Sequence, residues 1–242
     1  MMRVRLFSSV AIWLLFAVSE GLSQMQSAQV QHPAMDPVST RDGFPQVLLI
    51  GDSISIDYTL HVRGLLNKVA DVHRPLVNCE STIEGLREID RWLGAKRWAV
   101  IHFNWGLHDL KYENEKGEGA LPPAGKQKVL LPQYEKNLRA LVERLKRTGA
   151  RLIFATTTPV PDGTIMRIRG EEDGYNRIAV ALMSEYRIPV DDLHAFVVPR
   201  AGGIQRPRNV HFTPEGSMLL AREVAASILA ALGISREEWS NK

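Results

Sequence analysis

The sequence predicts an α/β fold, a mostly parallel sheet with helices on both faces. Two observations carry this. Strand-like and helix-like segments alternate about five times along the 242 residues, the pattern of a sheet built from crossover units. The strand-like segments are short continuous apolar runs, as in Val47 to Ile50 and Trp98 to Phe103. A strand buried on both faces has no polar side to alternate with.

Taken in order, the N-terminus opens with Arg3 and Arg5, runs through an apolar stretch from Val10 to Val18, and offers small residues at Gly21 and Ser23. This is the layout of a signal peptide over residues 1–23, with a mature start near Gln24. The run is shorter than the ~20 apolar residues of a spanning helix, so no integral membrane span is expected in the mature chain. The expected location is periplasmic or extracellular. Residues 24–43 read as a flexible leader and residues 44–235 as the domain. Cys79 is the only cysteine, so the fold stands without an internal disulfide, and Cys79 reads as a small buried apolar residue.

The first strand, through Ile50, runs straight into Gly51-Asp52-Ser53. Gly51 permits a sharp turn, and Asp52 or Ser53 can cap the helix that follows. Ser53 then stands at the carboxyl edge of the sheet, where open α/β folds bind ligands. Leu60, Leu65, Leu66 and Val69 place a helix over residues 58–70, and Leu76 to Asn78 reads as a short second strand. Ile83, Leu86, Ile89, Trp92 and Leu93 form the apolar stripe of a helix over residues 82–93. The third strand, ending at Phe103, leads into Asn104-Trp-Gly-Leu-His-Asp109, a second polar set at a strand end.

Residues 113–132 form a long connection rich in Gly, Pro, Lys and Glu, of a length usual for a lid or mobile insertion. A helix over 133–148 buries Tyr134, Leu138, Leu141, Val142 and Leu145, and Gly149 ends it. The fourth strand is 151–155. A loop over 162–170 precedes a helix to Tyr186 with Ile178, Ala181 and Leu182 inward. Residues 188–190 read as the fifth strand, and Asp191 as the cap of a short helix through Val198. Thr213-Pro214 is an N-cap with proline in the first turn. It starts the last helix, which runs to about Leu232 and closes at Gly233. His211 lies in the loop just before that helix, at the same sheet edge as Ser53, and the two make a candidate nucleophile–base pair.

Composition narrows the function. The chain is 45% hydrophobic and 24% charged, an ordinary globular balance. Without residues 1–23 it carries 28 basic and 26 acidic residues, a near balance that argues against a nucleic-acid binder, which needs a concentrated basic face. His102 and His108 are close in sequence, but no carboxylate–histidine set has metal-ligand spacing, so neither metal nor cofactor is expected.

Gly51-Asp52-Ser53-Ile54-Ser55 after a strand, together with Val210-His211-Phe212-Thr213-Pro214-Glu215-Gly216, resembles the SGNH hydrolase superfamily, the GDSL-type esterases, over about residues 45–233. The resemblance implies a flavodoxin-like three-layer α/β/α sandwich with a five-stranded sheet. It implies cleavage of carboxylic esters, often O-acetyl groups on carbohydrates, with Ser53 as nucleophile and His211 as general base. Its oxyanion hole would be the Ser53 N–H with further donors. The sequence departs from the family pattern at three places. His108 stands where the oxyanion asparagine is expected, leaving Asn104 or His108 to supply a side-chain donor. Glu80 stands at the glycine place of the second motif, with Gly85 as the fallback. Arg208 and Asn209 stand where the triad aspartate is expected. A backbone carbonyl, Asn209, or a remote acid (Asp191 or Asp192) would then orient His211, or the pair would act as a dyad. The alternatives in function are a carbohydrate-binding protein on a decayed hydrolase fold and an O-acyltransferase.

Overall fold

The computed structural model describes residues 32–235 and Trp239. The expected signal peptide lies outside these residues, as does the first part of the expected leader. From Pro33 onward the chain forms one unit. Residues 33–43 do not behave as a free leader. Ala34 is fully buried, and Arg41 donates its backbone N–H and its Nε to the Asp71 carboxylate at 2.7 and 2.6 Å.

The main sheet has five parallel strands in the order β2-β1-β3-β6-β7: β1 Gln46–Ile50, β2 Asp71–His73, β3 Val100–Phe103, β6 Arg151–Ala155 and β7 Val190–Asp191. The order reverses between β1 and β3, the flavodoxin-like arrangement, and the crevice at that reversal is where such sheets bind ligands. Val47 pairs with Val100 and Ile50 with Phe103, so the two strands end together. β1 and β3 are buried along their whole length, as their unbroken apolar runs require. Between them stand α1 (Ser53–Leu66) and α2 (Thr82–Leu93); after β3 come the short antiparallel pair β4 (Tyr112–Glu113) and β5 (Lys126–Gln127), α3 (Leu131–Lys146), α4 (Glu172–Tyr186), α5 (Leu193–Val197), α6 (Ala201–Ile204) and α7 (Pro214–Leu232). α1 packs with α7, and α2, α3 and α4 pack in succession. These are the two outer layers of a three-layer α/β/α sandwich.

Several boundaries differ from the sequence expectation, each for a local reason. α1 begins at Ser53, five residues early, because the Asp52 side chain accepts the Ile54 N–H at 2.9 Å and caps it there. The second strand is Asp71–His73, not residues 76–78. Asp71 is held there by Arg41 and by Gln46 Nε2 (3.0 Å), and Leu76 and Val77 are exposed in the following loop. α2 matches its expected range and is fixed by a capping box between Ser81 and Glu84. Its buried face contains Gly85, Ile89, Trp92 and Leu93, while Ile83 and Leu86 face out. The connection at 113–132 contains the β4–β5 ladder. β7 lies two residues later than expected, at Val190–Asp191, and Asp192 rather than Asp191 caps the short helix by accepting from Ala195 N–H. Ala181 is exposed, and Tyr175, Ala179, Leu182 and Met183 are the inward residues of α4. No helix among the described residues is long and apolar enough to cross a membrane.

Candidate active site

β1 delivers the chain to the switch point at Ile50, and Gly51-Asp52 turns it into α1. A Cβ on Gly51 would lie 2.9 Å from the Ser55 Cβ, so the turn admits only glycine without displacement. The turn is fastened from behind by the buried Arg74. Its Nη2 donates to Gly51 O (3.3 Å), and its Nη1 to Ser55 Oγ (3.1 Å) and Thr59 Oγ1 (3.0 Å). Burial lowers the Arg74 pKa from its ordinary value. Ser53 is the first residue of α1 and is partly exposed. Its N–H therefore has no intrahelical acceptor and lies at the positive end of the helix dipole.

His211 arrives from the far end of the chain on a stapled loop. Arg206 N–H donates to His211 O at 2.9 Å, Arg206 Nε to Phe212 O at 2.9 Å, and Thr213 N–H to Ile204 O at 2.9 Å. Gln205 Nε2 ties Val210 O (3.2 Å) to Pro159 O (2.8 Å), and Val210 and Phe212 are buried on either side of the histidine. Gly216 closes the staple, since a Cβ there would sit 2.2 Å from Ile204 O. Arg208 takes a left-handed φ of 57° so that the loop can turn back.

The result is a contact across 158 residues: His211 Nε2 lies 2.9 Å from Ser53 Oγ. On the other side of the ring, Asn209 Oδ1 lies 2.8 Å from His211 Nδ1 and accepts the His211 backbone N–H at 2.9 Å. A backbone N–H can only donate, so it fixes which amide atom of Asn209 is the oxygen. The same oxygen then requires a proton on Nδ1. Nε2 is left with its lone pair directed at the serine hydroxyl, which is the tautomer a general base needs. The remote acids do not take part. Asp191 lies against His102 at 3.0 Å, and Asp192 accepts from Thr156 Oγ1 at 2.9 Å.

The oxyanion candidates separate by what their donors already do. Gly85 is removed from the set: it lies within α2, where a Cβ would meet Trp105 at 2.9 Å, and its smallness serves helix packing. Glu80 has the glycine-like backbone, with φ of 45°, but its N–H donates to Asn78 Oδ1 at 3.0 Å. The Asn104 amide donates to Ala155 O at 2.8 Å, and the residue lines a small cavity of about 10 Å³ together with Asp52 and Ser55. His108 is only partly buried. Burial lowers its pKa, partly countered by the field of Asp52 and reinforced by that of Arg167. The imidazole is thereby kept neutral, with one N–H to give. Its loop is set by Gly106, which abuts the Thr157 side chain, and by Tyr134 OH donating to Trp105 O at 2.9 Å. Asp109 turns away from the site, accepting from Thr82 N–H (3.0 Å) and Thr82 Oγ1 (2.5 Å).

Two further features were not read from the sequence. Arg167 Nε donates to Leu107 O at 2.8 Å, which brings a guanidinium beside His108. Nothing in its local sequence marks it, because the contact spans 60 residues. Glu172, Asp173 and His194 also converge, with His194 Nε2 at 3.9 and 3.5 Å from the two carboxylates, in a separate cavity of about 590 Å³. Glu172 is already held by the N–H groups of Val160 (3.0 Å) and Gly170 (2.8 Å). Cys79 is buried, and burial pushes its thiol up to about 12.

No protein-family model and no curated protein matches the chain. Solved structures do. The acetyl xylan esterase AlAXEase superposes with a TM-score of 0.62 at 15% identity, over 76% of this chain and 99% of that one. Axe2, an acetylxylan esterase from Geobacillus stearothermophilus, gives 0.60 at 19% identity over 81% and 95%. A protein described as a GDSL-like lipase from Parabacteroides merdae gives 0.64 at 16% identity over 82% and 100%. At these identities the likeness is one of architecture: the chain has the SGNH hydrolase fold.

Proposed function

We propose that the protein is a serine esterase that cleaves carboxylic esters, in particular O-acetyl groups on carbohydrates, through an acyl-Ser53 intermediate. The observation that carries this is the 2.9 Å approach of His211 Nε2 to Ser53 Oγ, with Nδ1 held by Asn209. His211 takes the serine proton as Oγ attacks the ester carbonyl. The tetrahedral oxyanion is met by the Ser53 N–H at the α1 terminus and by a ring N–H of His108. Collapse breaks the bond to the alcohol oxygen, which leaves with the proton held by His211. Water then attacks the acyl-serine by the same route, releasing the carboxylic acid and restoring Ser53. The acetyl-carbohydrate part of the reading is supported by the sequence resemblance and by the printed names of the xylan esterases of like fold. Export through residues 1–23 belongs to the same reading, supported by the charge and apolar pattern of that segment.

The test is hydrolysis of 4-nitrophenyl acetate and acetylated xylooligosaccharides by the mature chain. Ser53→Ala and His211→Ala should each lose ~10³-fold or more in kcat with an unchanged Tm. Full activity in Ser53→Ala would overturn the serine mechanism. Binding of the oligosaccharide with no turnover in the parent would instead favour a carbohydrate-binding protein, and turnover dependent on an added sugar acceptor would favour acyl transfer.

A further inference from the structure

The Arg167 guanidinium is unlike the other arginines around the site. Arg74 spends its nitrogens on hydroxyls and carbonyls and Arg169 pairs with Asp162 at 2.5 Å, while Arg206, which also commits only Nε (to Phe212 O), and Arg208 are exposed to solvent. Arg167 commits only Nε, to Leu107 O at 2.8 Å. Among the described residues Nη1 and Nη2 make no hydrogen bond and no ion pair. The side chain is half-buried, and the acid whose field reaches it is Asp52, the residue before the nucleophile. Asp52 is occupied as the α1 cap, accepting from Ile54 N–H. Glu80, the other acid whose field is felt at His108, lies 3.6 Å from Lys128. A partly desolvated cation without an acid partner is costly to hold. The chain nevertheless holds it firmly. Met166, just before it, adopts a left-handed φ of 62° and accepts the Tyr112 N–H at 2.8 Å, fastening this loop to the β4–β5 segment. Strain in a non-glycine residue beside a reaction centre points to a functional placement.

With Nε tethered, the remaining N–H groups form an end-on fork that fits two oxygens borne on one atom. The tether to Leu107 sets that fork next to His108 and thus next to the expected oxyanion. We propose that Arg167 reads an anionic group of the substrate close to the scissile ester, a carboxylate or a sulfate, and that the preferred substrates are O-acyl esters of acidic saccharides. This rests on the serine-esterase reading for its catalytic consequence, while the anion recognition stands on the guanidinium itself.

The test separates the two. Binding is measured by calorimetry on the non-turning Ser53→Ala chain. The ligands are an O-acetylated methyl glucuronoside, the same compound with its carboxyl converted to the methyl ester (similar shape, no charge), and an O-acetylated methyl glucoside 6-sulfate. One or both anionic ligands should bind about 10- to 100-fold tighter than the neutral ester, and added salt should shrink the difference. Which of the two leads tells carboxylate from sulfate. In Ser53→Ala with Arg167→Gln the preference should vanish, and Arg167→Lys should restore part of it. With Ser53 intact, the same preference should appear in kcat/KM. Equal binding of charged and neutral ligands would overturn the proposal. So would a preference that survives Arg167→Gln, or an Arg167→Gln defect equal on charged and neutral esters, which would make Arg167 a positioning residue for the 104–109 loop. Anion-selective binding without turnover in the parent would sink the esterase reading and leave this one standing.

Discussion

Asn209 Oδ1 grips His211 twice, at the backbone N–H and at Nδ1, 2.9 and 2.8 Å away. In a chymotrypsin-type triad an Asp→Asn change costs ~10⁴ in turnover through the wrong tautomer. Here the backbone N–H selects the oxygen of the amide and so preserves the right one. On the proposed serine-esterase reading, what Asn209 lacks is charge to stabilise the imidazolium of the transition state.

Asn209→Asp should therefore raise kcat, by up to about tenfold since the site is exposed and the added charge is screened. It should also move the acid limb of the pH–rate profile to higher pH, because the carboxylate favours the protonated ring. Asn209→Ala removes both the lock and the tautomer and should cost ~10²-fold or more. A pH–rate series on the three proteins decides it, and an Asn209→Ala enzyme as fast as the parent would show that another group orients His211.

His108 stands where the family pattern has asparagine, and its burial-lowered pKa keeps it a neutral donor. His108→Ala should lose ~10²- to 10³-fold in kcat with little change in KM, the signature of a donor used in the transition state. His108→Asn should recover much of that loss. By contrast Asn104→Ala should act mainly on stability, since the Asn104 amide bridges to Ala155 O. The reverse assignment would follow if Asn104→Ala gave the larger kcat defect at unchanged Tm.

Asp109 is buried without a counterion, and burial raises its pKa from 3.8 to about 7, against the two Thr82 hydrogen bonds that lower it. Between those values the folded chain holds a proton that the unfolded chain has lost. Stability from this group is thus lost as pH rises from about 4 to about 7. Asp109→Asn removes the ionisation, so its Tm relative to the parent should climb by a few degrees over that window. Calorimetric scans at pH 4.5, 6 and 8 test this, and a difference independent of pH would contradict it.

Glu80 holds φ at 45°, in the left-handed region that disfavours a side chain. Glu80→Gly should stabilise the fold by ~1 kcal/mol, less the weak contact to Lys128 at 3.6 Å. Denaturant unfolding measures it, and a loss of stability would mean that the Glu80 side chain contributes more than its backbone costs.

The sequence by itself determined the parts governed by short-range physics. Unbroken apolar runs marked β1 and β3 as doubly buried, and caps such as Thr213-Pro214 and Gly233 set the bounds of α7. The Gly51-Asp52-Ser53 turn and the late His211 were legible as motifs because each is local. The sequence alternation missed the second strand, because Asp71–His73 owes its place to Arg41 and Gln46 rather than to its own apolarity. Only the tertiary structure decided who orients His211, since the choice lay among Asn209, a backbone carbonyl and acids near residue 191. It also withdrew Gly85, turned the Asn104 amide toward Ala155, and brought Arg167 to Leu107. Each of these is a competition among donors and acceptors for partners that chain closure alone brings within reach. Nothing in a residue's immediate neighbours records which partner wins.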